Sequence, residues 1–462
     1  MRRLTKFLTI LLPIILFSPS LAIFFSSDDW FHLRVSAITH LSEFSNFFSF
    51  IRNPQSIAFY RPLTTQVFFF AFQKLFGVNP TPFHIFVLTC FAFSLYLIFR
   101  LSKKLQKTNE KALICTILYG FSVSNFTRLY FLSAFQEVGL VIFSLLCIES
   151  YLDNRKYRPI IFFVLALLSK ETAVVTPLIL FVLDWAKKKI EIRKLTPYLL
   201  VLFPYLYLRL FVFGVVSGET YVWNPSPLKA ANTLIWYILW SVGAPELLVD
   251  YIGNGFRPIA RFFSDFPGWW PIILGLLVLN LTFLGYLFAK KLGRFNRRFA
   301  SFIVLFIISL LPVLFLPQHK FTLELGLPLV WFCFAVARLL PEKGKILAFF
   351  LVAYLTLNLS MNHLTYARHY SVGRGVVSKK VFEYFSKNYS TRPQNSYFEF
   401  INDTRVYTKE WGSSRQIANS VGGSELFRVL YRDQNYNVYY EDFLEVRPAL
   451  QRIPISSKIF LQ

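Results

Sequence analysis

Long apolar runs recur through the first three quarters of the chain, and they constrain its fold more than any other feature. Examples are the runs 7–25, 83–101, 269–289 and 302–316, which contain almost no charged residues. A helix of about 20 mainly apolar residues crosses the hydrocarbon core of a bilayer. Of the 462 residues, 55% are hydrophobic and only 16% are charged, a composition typical of membrane proteins. The sequence therefore predicts an all-α polytopic membrane protein.

The basic residues predict how the chain is oriented. The formal net charge is +24, but the Lys and Arg residues lie mainly in short loops between apolar runs, as in cytoplasmic loops, which argues against a nucleic-acid-binding protein. Arg2, Arg3 and Lys6 place the N-terminus in the cytoplasm, and the apolar run up to residue 25 favours an uncleaved signal anchor over a cleaved signal peptide. With about eleven spans, every strongly basic loop lies inside, provided that the run 231–249 is re-entrant or interfacial. We expect a multi-pass protein of a prokaryotic cytoplasmic membrane.

Composition divides the chain into two parts. Residues 1–361 hold the apolar runs and form the predicted transmembrane domain, in which the first outer loop, 26–81, is predicted to form helices in the interface. Residues 362–462 have an ordinary polar composition, with short β-like runs such as 436–440. About 100 residues is close to the size at which a chain folds alone. We predict a small extracytoplasmic α/β domain at the C-terminus.

Four short polar clusters fall on the same, outer side of the membrane in this topology. They are Asp28-Asp29, Tyr60-Arg61, Lys170-Glu171 and His319-Lys320. Burying a carboxylate is costly unless it is paired, so adjacent acids at the mouth of a span indicate a function. Carboxylates can act as general bases, and nearby cations can hold a phosphate. The alternatives are that the acidic pair only begins a solvated loop, and that the cations only reach the interface and pair with the acids.

Several familiar catalytic motifs are missing. The sequence has no Gly-x-x-x-x-Gly-Lys phosphate loop, no His-Glu-x-x-His and no Gly-x-Ser-x-Gly. The four cysteines lie singly within apolar runs, which predicts neither a disulfide framework nor a cysteine metal site. A membrane enzyme without a nucleotide-binding loop can instead use an activated donor that is dissolved in the lipid.

Five segments together resemble the GT-C membrane glycosyltransferases. They are DDW at 28–30, FYRPLT at 59–64, LFGVNP at 75–80, LLSKE at 167–171 and HKFTL at 319–323. The likeness covers roughly residues 1–340 and is nearest to the protein O-mannosyltransferases and transmembrane tetratricopeptide mannosyltransferases, with the aminoarabinose transferases of lipid A more distant. The chain departs from that branch because no tetratricopeptide array follows and the turn after Lys320 lacks tyrosines.

The resemblance implies a GT-C fold and inverting transfer of a hexose from a polyprenyl-phosphate donor to a protein, glycan or lipid acceptor on the outer face. It also implies a first-loop acid that acts as catalytic base or as ligand of a divalent cation, Mg or Mn, which Asp28 or Asp29 would hold. The expected catalytic residues are Asp28 and Asp29. The expected ligands of the donor phosphate are Arg61, Lys170 and Lys320. The expected supporting residues are Tyr60, Glu171 and His319.

Two other functions remain open. A flippase or transporter of lipid-linked glycans would need polar residues in the middle of the membrane, where the predicted spans are nearly free of charge. A non-catalytic scaffold would present the C-terminal domain to a partner on the outer side.

Overall fold

Helices form most of the chain up to residue 388. The structure, a computed structural model, describes residues 2–56, 59–214, 218, 220–291, 296–403 and 412–461. In chain order, the helices of this part are α1 (Arg2–Phe17), α2 (Asp28–Ser36), α3 (Phe68–Phe76), α4 (Pro80–Gln106), α5 (Asn109–Phe121), α6 (Phe126–Tyr130), α7 (Phe135–Leu152), α8 (Arg158–Ser169), α9 (Thr176–Ala186), α10 (Ile192–Tyr207), α11 (Pro227–Val242), α12 (Ala260–Asp265), α13 (Trp270–Lys290), α14 (Arg297–Leu314), α15 (Gly326–Leu339), α16 (Lys345–Arg368) and α17 (Tyr370–Asn388). Short 3-10 and π-helical turns join several of them, including Leu41–Phe48, Leu63–Val67 and Glu171–Val175.

Eight helical stretches in the described ranges are long and apolar enough to cross a membrane. They are Leu4–Ala22, Pro80–Gln106, Leu132–Leu152, Ile192–Phe213, Trp270–Lys290, Arg297–Leu314, Thr322–Leu339 and Lys345–Asn388. The pair Asn109–Phe121 and Val123–Tyr130, bent by 56°, makes a ninth if it crosses as one broken span. These helices indicate a multi-pass membrane protein, as the sequence predicted, while the side on which each loop lies stays a prediction.

The number of spans is lower than the predicted eleven because some apolar runs form short helices. α8 has 12 residues and α9 has 11, well short of the roughly 20 that a bilayer requires. Lys170 lies between them with an extended backbone, φ −158° and ψ 139°, which ends α8. The run 231–249, predicted not to cross, forms the 16-residue α11 and a 3-10 turn at Glu246–Asp250. It is not one of the eight stretches.

The first loop folds onto the helical bundle. α7 packs against α8, α4 and α15, and Gly139 of α7 lets the loop approach closely, since a Cβ there would lie 2.5 Å from Cγ2 of Thr64. The Thr64 hydroxyl donates a hydrogen bond to the Ser169 carbonyl at 2.6 Å. These contacts hold the segment around residues 59–67 beside the end of α8.

The C-terminal part is a small parallel sheet with helices against it. It contains β1 (Ser396–Ile401), α18 (Ser413–Val421), α19 (Glu425–Tyr431), β2 (Tyr439–Tyr440), β3 (Gln451–Ser456) and α20 (Lys458–Leu461). The strand order is β2-β1-β3, with both pairs parallel; parallel strands need crossovers, and α18 and α19 lie in the one from β1 to β2. Phe398 and Phe400 of β1 and Phe427 of α19 pack around Phe385 of α17.

This α/β unit is the one that the sequence predicted at the C-terminus. α16 runs without a break from Lys345 to Arg368, across the predicted boundary between residues 361 and 362, and α17 packs against α18. The boundary itself, and the outer location of the unit, stay predictions.

Candidate active site

A cavity of about 500 Å³ lies where the start of α2, the segment before α7 and the turn 319–324 meet. Three of the predicted site residues, Asp28, Arg61 and His319, line it. We call it the Asp28 cavity. Its polar lining also includes His32, Gln136, Tyr221, Glu324 and Tyr370.

The two adjacent aspartates have different surroundings. Both lie in the first turn of α2, where successive side chains point about 100° apart. Asp29 is buried, and its carboxylate accepts hydrogen bonds from the Ser133 backbone N–H at 2.7 Å, the Ser133 hydroxyl at 2.6 Å and the Ser26 N–H at 3.0 Å. Asp28 is exposed and lines the cavity. Asp29 thus anchors α2 to the segment before α7, while Asp28 is available to a substrate.

Desolvation by the surrounding protein changes the acidity of both aspartates. Desolvation raises the pKa of Asp28 above its ordinary 3.8, although the Arg374 and Arg61 guanidiniums oppose the rise. Burial raises the pKa of Asp29 to about 7 against the opposing hydrogen bonds from Ser133 and Ser26. A raised pKa makes the ionised Asp28 a stronger base than an ordinary aspartate.

His32 lies one helical turn after Asp28, on the same face of α2, and the sequence did not single it out. It lines the cavity, and its Nδ1 is buried without a hydrogen-bond partner among the described residues. Burial, together with the charge of Arg61, lowers the pKa of His32 to about 3, so the ring is neutral at physiological pH. The free nitrogen of a neutral imidazole can accept a hydrogen bond from a bound hydroxyl or donate one to it, depending on the tautomer.

Arg61 is held by protein groups on three of its five N–H bonds. Its Nε donates to Glu171 Oε2 at 2.7 Å, while Nη2 donates to Glu171 Oε1 and Nη1 to Gln136 Oε1. The guanidinium also stacks on Phe59, 4.3 Å from the ring centre. Burial alone would lower the pKa of Arg61, but the Glu171 carboxylate raises it. The fork predicted to bind phosphate is therefore occupied by Glu171, and two N–H bonds remain for a ligand.

Tyr60, the neighbour of Arg61, has a packing role in the structure. It is buried, its ring stacks on Phe50 with 3.9 Å between centres, and its hydroxyl donates to the Phe48 carbonyl at 3.0 Å. It does not line the cavity.

Lys170 lies between two carboxylates behind the cavity wall. Its ammonium donates to Glu137 and, at 2.7 Å, to Glu324 Oε2, and both Lys170 and Glu137 are only 1% exposed. Burial alone would lower the pKa of Lys170, but these two carboxylates raise it. Lys170 is not among the described residues that line the cavity. The sequence did not point to Glu137, which looks like a lone charge within a span.

The turn 319–324 is fixed by buried charges that the sequence did not single out. Glu246 accepts from the Thr322 backbone N–H at 2.7 Å and from its hydroxyl at 2.5 Å, and Arg128 donates to the Thr322 carbonyl at 3.3 Å. His319 contacts Glu324, with 3.6 Å between Nε2 and Oε1. The turn therefore forms a rigid wall of the cavity.

Lys320 points into a second cavity, of about 670 Å³, that shares Phe321 and Tyr370 with the first. We call it the Lys320 cavity. The Lys320 ammonium donates a hydrogen bond to the Asn232 side-chain oxygen at 3.2 Å and forms no ion pair with a carboxylate in the described part of the chain. Desolvation lowers the pKa of Lys320. Arg368 also lines this cavity. The wall of this cavity also carries acidic side chains, those of Glu246, Asp250 and Asp265.

The residues at Asp28 and Asp29 do not provide a set of metal ligands. The Asp29 oxygens already accept three protein hydrogen bonds, which leaves Asp28 as one carboxylate. Within the described ranges, no three His, Cys, Asp or Glu side chains form a group that could hold a metal ion. The Mg or Mn ion implied by the resemblance finds no such ligand set here.

Comparisons of the chain with protein-family models, with curated proteins and with solved structures found no match.

Proposed function

We propose that the chain is a membrane glycosyltransferase of the GT-C fold that moves a sugar from a polyprenyl-phosphate donor to a hydroxyl acceptor on the outer face of a prokaryotic cytoplasmic membrane. One observation carries this proposal. The Asp28 carboxylate opens into a cavity that adjoins a second cavity, in which Lys320 and Arg368 form no ion pair with another described residue.

Asp28 acts as the general base in this proposal. Its carboxylate takes the proton of the acceptor hydroxyl as the acceptor oxygen bonds to the anomeric carbon of the donor. The bond from that carbon to the phosphate oxygen breaks, and the polyprenyl phosphate leaves with the electron pair. His32 and the two remaining N–H bonds of Arg61 can hydrogen-bond the sugar or the leaving oxygen.

The donor phosphate is assigned to the Lys320 cavity. Lys320 and Arg368 are the cations there that no carboxylate pairs with among the described residues, whereas Arg61 and Lys170 are paired with acids. Phe321 and Tyr370 lie between the two cavities. A donor with its phosphate beside Lys320 can place its sugar past these rings, towards Asp28.

The charged groups of the bundle favour an enzyme over a transporter. Glu137 and Glu324 lie near the starts of the stretches Leu132–Leu152 and Thr322–Leu339. Lys170 joins them beside the cavity rather than in the middle of a span. A transport pathway needs polar groups in the middle of the membrane. A scaffold has no need of a carboxylate that opens into a cavity between a helix start and two loops.

The proposal is tested by incubating the purified full chain with radiolabelled polyprenyl-phosphate sugars and a panel of protein, glycan and lipid acceptors. We expect label in one acceptor class and an equal amount of released polyprenyl phosphate. Transport of intact donor between leaflets of sealed vesicles, without transfer to any acceptor, would instead support the flippase.

Replacing Lys320 with glutamine should raise the KM for the donor roughly 10-fold to 100-fold, since a charge-assisted hydrogen bond contributes about 1.5–3 kcal/mol. The matched control is Lys229→Gln, an exposed lysine on the helix that carries Asn232. Lys229 lines neither cavity, so this control should keep the wild-type KM. Equal donor KM values for the two variants would contradict the assignment of the donor phosphate to the Lys320 cavity.

Transfer should fall as the medium is acidified, with an apparent pKa above 3.8. The base works only when ionised, and the pKa of Asp28 is raised in the folded protein, so protonation inactivates it at a milder acidity than an ordinary aspartate. The measurement is the pH profile of kcat/KM. Because the pKa of Asp29 is also raised, Asp29→Asn serves as the control. The fall in kcat/KM at acidic pH should persist in this variant. If Asp29→Asn no longer shows this fall at acidic pH, the titrating group is Asp29 and not Asp28.

A further inference from the structure

Ser27, the residue before Asp28, is held by the C-terminal unit. Its backbone N–H donates to the Ser420 carbonyl at 2.8 Å, and its hydroxyl donates to the Asn419 carbonyl at 2.6 Å. Gly422 lies against the third polar group, because a Cβ on Gly422 would be 2.6 Å from the Ser27 carbonyl oxygen. The last turn of α18 therefore accepts hydrogen bonds from the N–H and the hydroxyl of Ser27, and the glycine after it lies beside the Ser27 carbonyl, which accepts from the Trp30 N–H at 3.2 Å.

Ser27 requires such support because of its backbone conformation. It has φ 48° and ψ −119°, a combination that residues with a Cβ rarely adopt. Conformations of this kind persist only where the surroundings hold them, and they cluster at functional sites. The strained residue here directly precedes the proposed catalytic base.

The rest of α2 is tied to the same side of the molecule. Arg34 forms an ion pair with Glu425 of α19 and donates to Gln434 at 3.1 Å. The Trp30 indole N–H donates to the Ser378 hydroxyl of α17 at 2.8 Å. α2 is therefore fixed to the C-terminal unit at Ser27, the residue before it, and at Arg34 in its last turn.

Asp28 lies between two opposite anchors. Ser27 is attached to the C-terminal unit, and Asp29 is attached to Ser133 in the helical bundle. Of these three consecutive residues, only Asp28 is exposed. Its direction is thus set by how the two parts of the chain hold its neighbours.

We propose that the C-terminal unit completes the reaction site, with Ser27 and Gly422 as positioning residues that direct the Asp28 carboxylate into its cavity. This role rests on the proposed transfer reaction, but the contact itself can be measured without it. The C-terminal unit then contributes to catalysis rather than serving only as a surface for a partner.

Two neighbouring glycines provide a matched test in the full-length protein. Gly422 and Gly423 both have positive φ, 68° and 65°, so an alanine is strained to a similar degree at each. A Cβ on Gly422 collides with Ser27, whereas a Cβ on Gly423 meets nothing within 4 Å. Any difference between Gly422→Ala and Gly423→Ala therefore reports on the contact with Ser27.

Hydrogen–deuterium exchange gives the first readout. In Gly422→Ala, the amides of residues 26–30 should exchange about tenfold faster or more, which corresponds to the loss of one hydrogen bond. In Gly423→Ala they should exchange as in the wild type. Equal exchange of this segment in both variants would overturn the proposal. If Gly422→Ala does not fold, Glu425→Gln, which weakens the Arg34 ion pair, should accelerate exchange across α2; unchanged exchange there would equally overturn it.

Kinetics give the second readout. Gly422→Ala should lower kcat on the order of 100-fold, as expected for a displaced catalytic group, while the donor KM stays close to that of Gly423→Ala. A lower amount of folded protein with an unchanged kcat per folded molecule would mean that the contact only stabilises the fold, and would contradict the proposal. Faster exchange in Gly422→Ala, with no transfer by the wild type, would refute the proposed transferase function and the catalytic role of the contact together, and would leave the contact as structural.

Discussion

Asp28→Asn is expected to lower sugar transfer by about 100-fold to 10,000-fold, the usual effect of removing a general base. Asparagine has nearly the same volume as aspartate but cannot take up the acceptor proton. Because the Asp28 side chain faces the cavity and forms no hydrogen bond with another described residue, the variant should fold as the wild type does. The measurements are kcat for transfer and the midpoint of thermal unfolding.

Asp29→Asn is the internal control for that result. An amide nitrogen in place of one Asp29 oxygen would face the backbone N–H of Ser26 or Ser133. An unsatisfied buried group costs about 1–3 kcal/mol, so this variant should lose stability. Its kcat should fall less than that of Asp28→Asn. If the two variants were equally stable and Asp29→Asn had the lower kcat, the general base would be Asp29.

Lys170→Gln is expected to destabilise the fold by about 3–5 kcal/mol, because it leaves the carboxylates of Glu137 and Glu324 buried without their cation. The midpoint of thermal unfolding in detergent should fall accordingly. Adding Glu137→Gln to Lys170→Gln should recover part of the loss, since it removes one of the two carboxylates that Lys170 neutralises.

Lys320→Gln is the comparison for this effect, because Lys320 is half-buried and forms no ion pair within the described ranges. Its unfolding midpoint should stay near that of the wild type. If Lys170→Gln had wild-type stability but bound the donor more weakly, the structural role would be contradicted. Lys170 would then be a ligand of the donor phosphate.

The helical fold and the small α/β unit followed from local sequence signals. Apolar runs marked the helices, and the change of composition after residue 361 marked the C-terminal part. The structure has eight or nine helical stretches that are long enough to cross, against about eleven predicted spans, because hydropathy does not show where a helix ends. The extended backbone at Lys170 divides an apolar stretch into α8 and α9, both too short to cross alone.

The candidate site could be predicted only as a set of residue types. The sequence showed two adjacent acids, but which of them faces the cavity depends on Ser133, 104 residues away. The cations were expected to bind phosphate, and the alternative was that they pair with acids. In the structure Arg61 and Lys170 are paired with acids, whereas Lys320 is paired with no acid in the part of the chain that the structure describes. Contacts between distant segments, such as Lys170 with Glu324 across 154 residues, leave no local pattern.

The anomeric configuration of the product tests the central claim most directly. Among the described residues that line the Asp28 cavity, the other carboxylate is Glu324, which is paired with Lys170 and His319. Asp28 is thus the one free carboxylate of this lining, and no second one is available to form a covalent sugar intermediate. One displacement inverts the anomeric centre, whereas two displacements retain it. NMR of the product formed by the wild-type protein should show the configuration opposite to that of the polyprenyl-phosphate donor. Retention of the donor configuration, or no transfer to any acceptor class, would contradict the account.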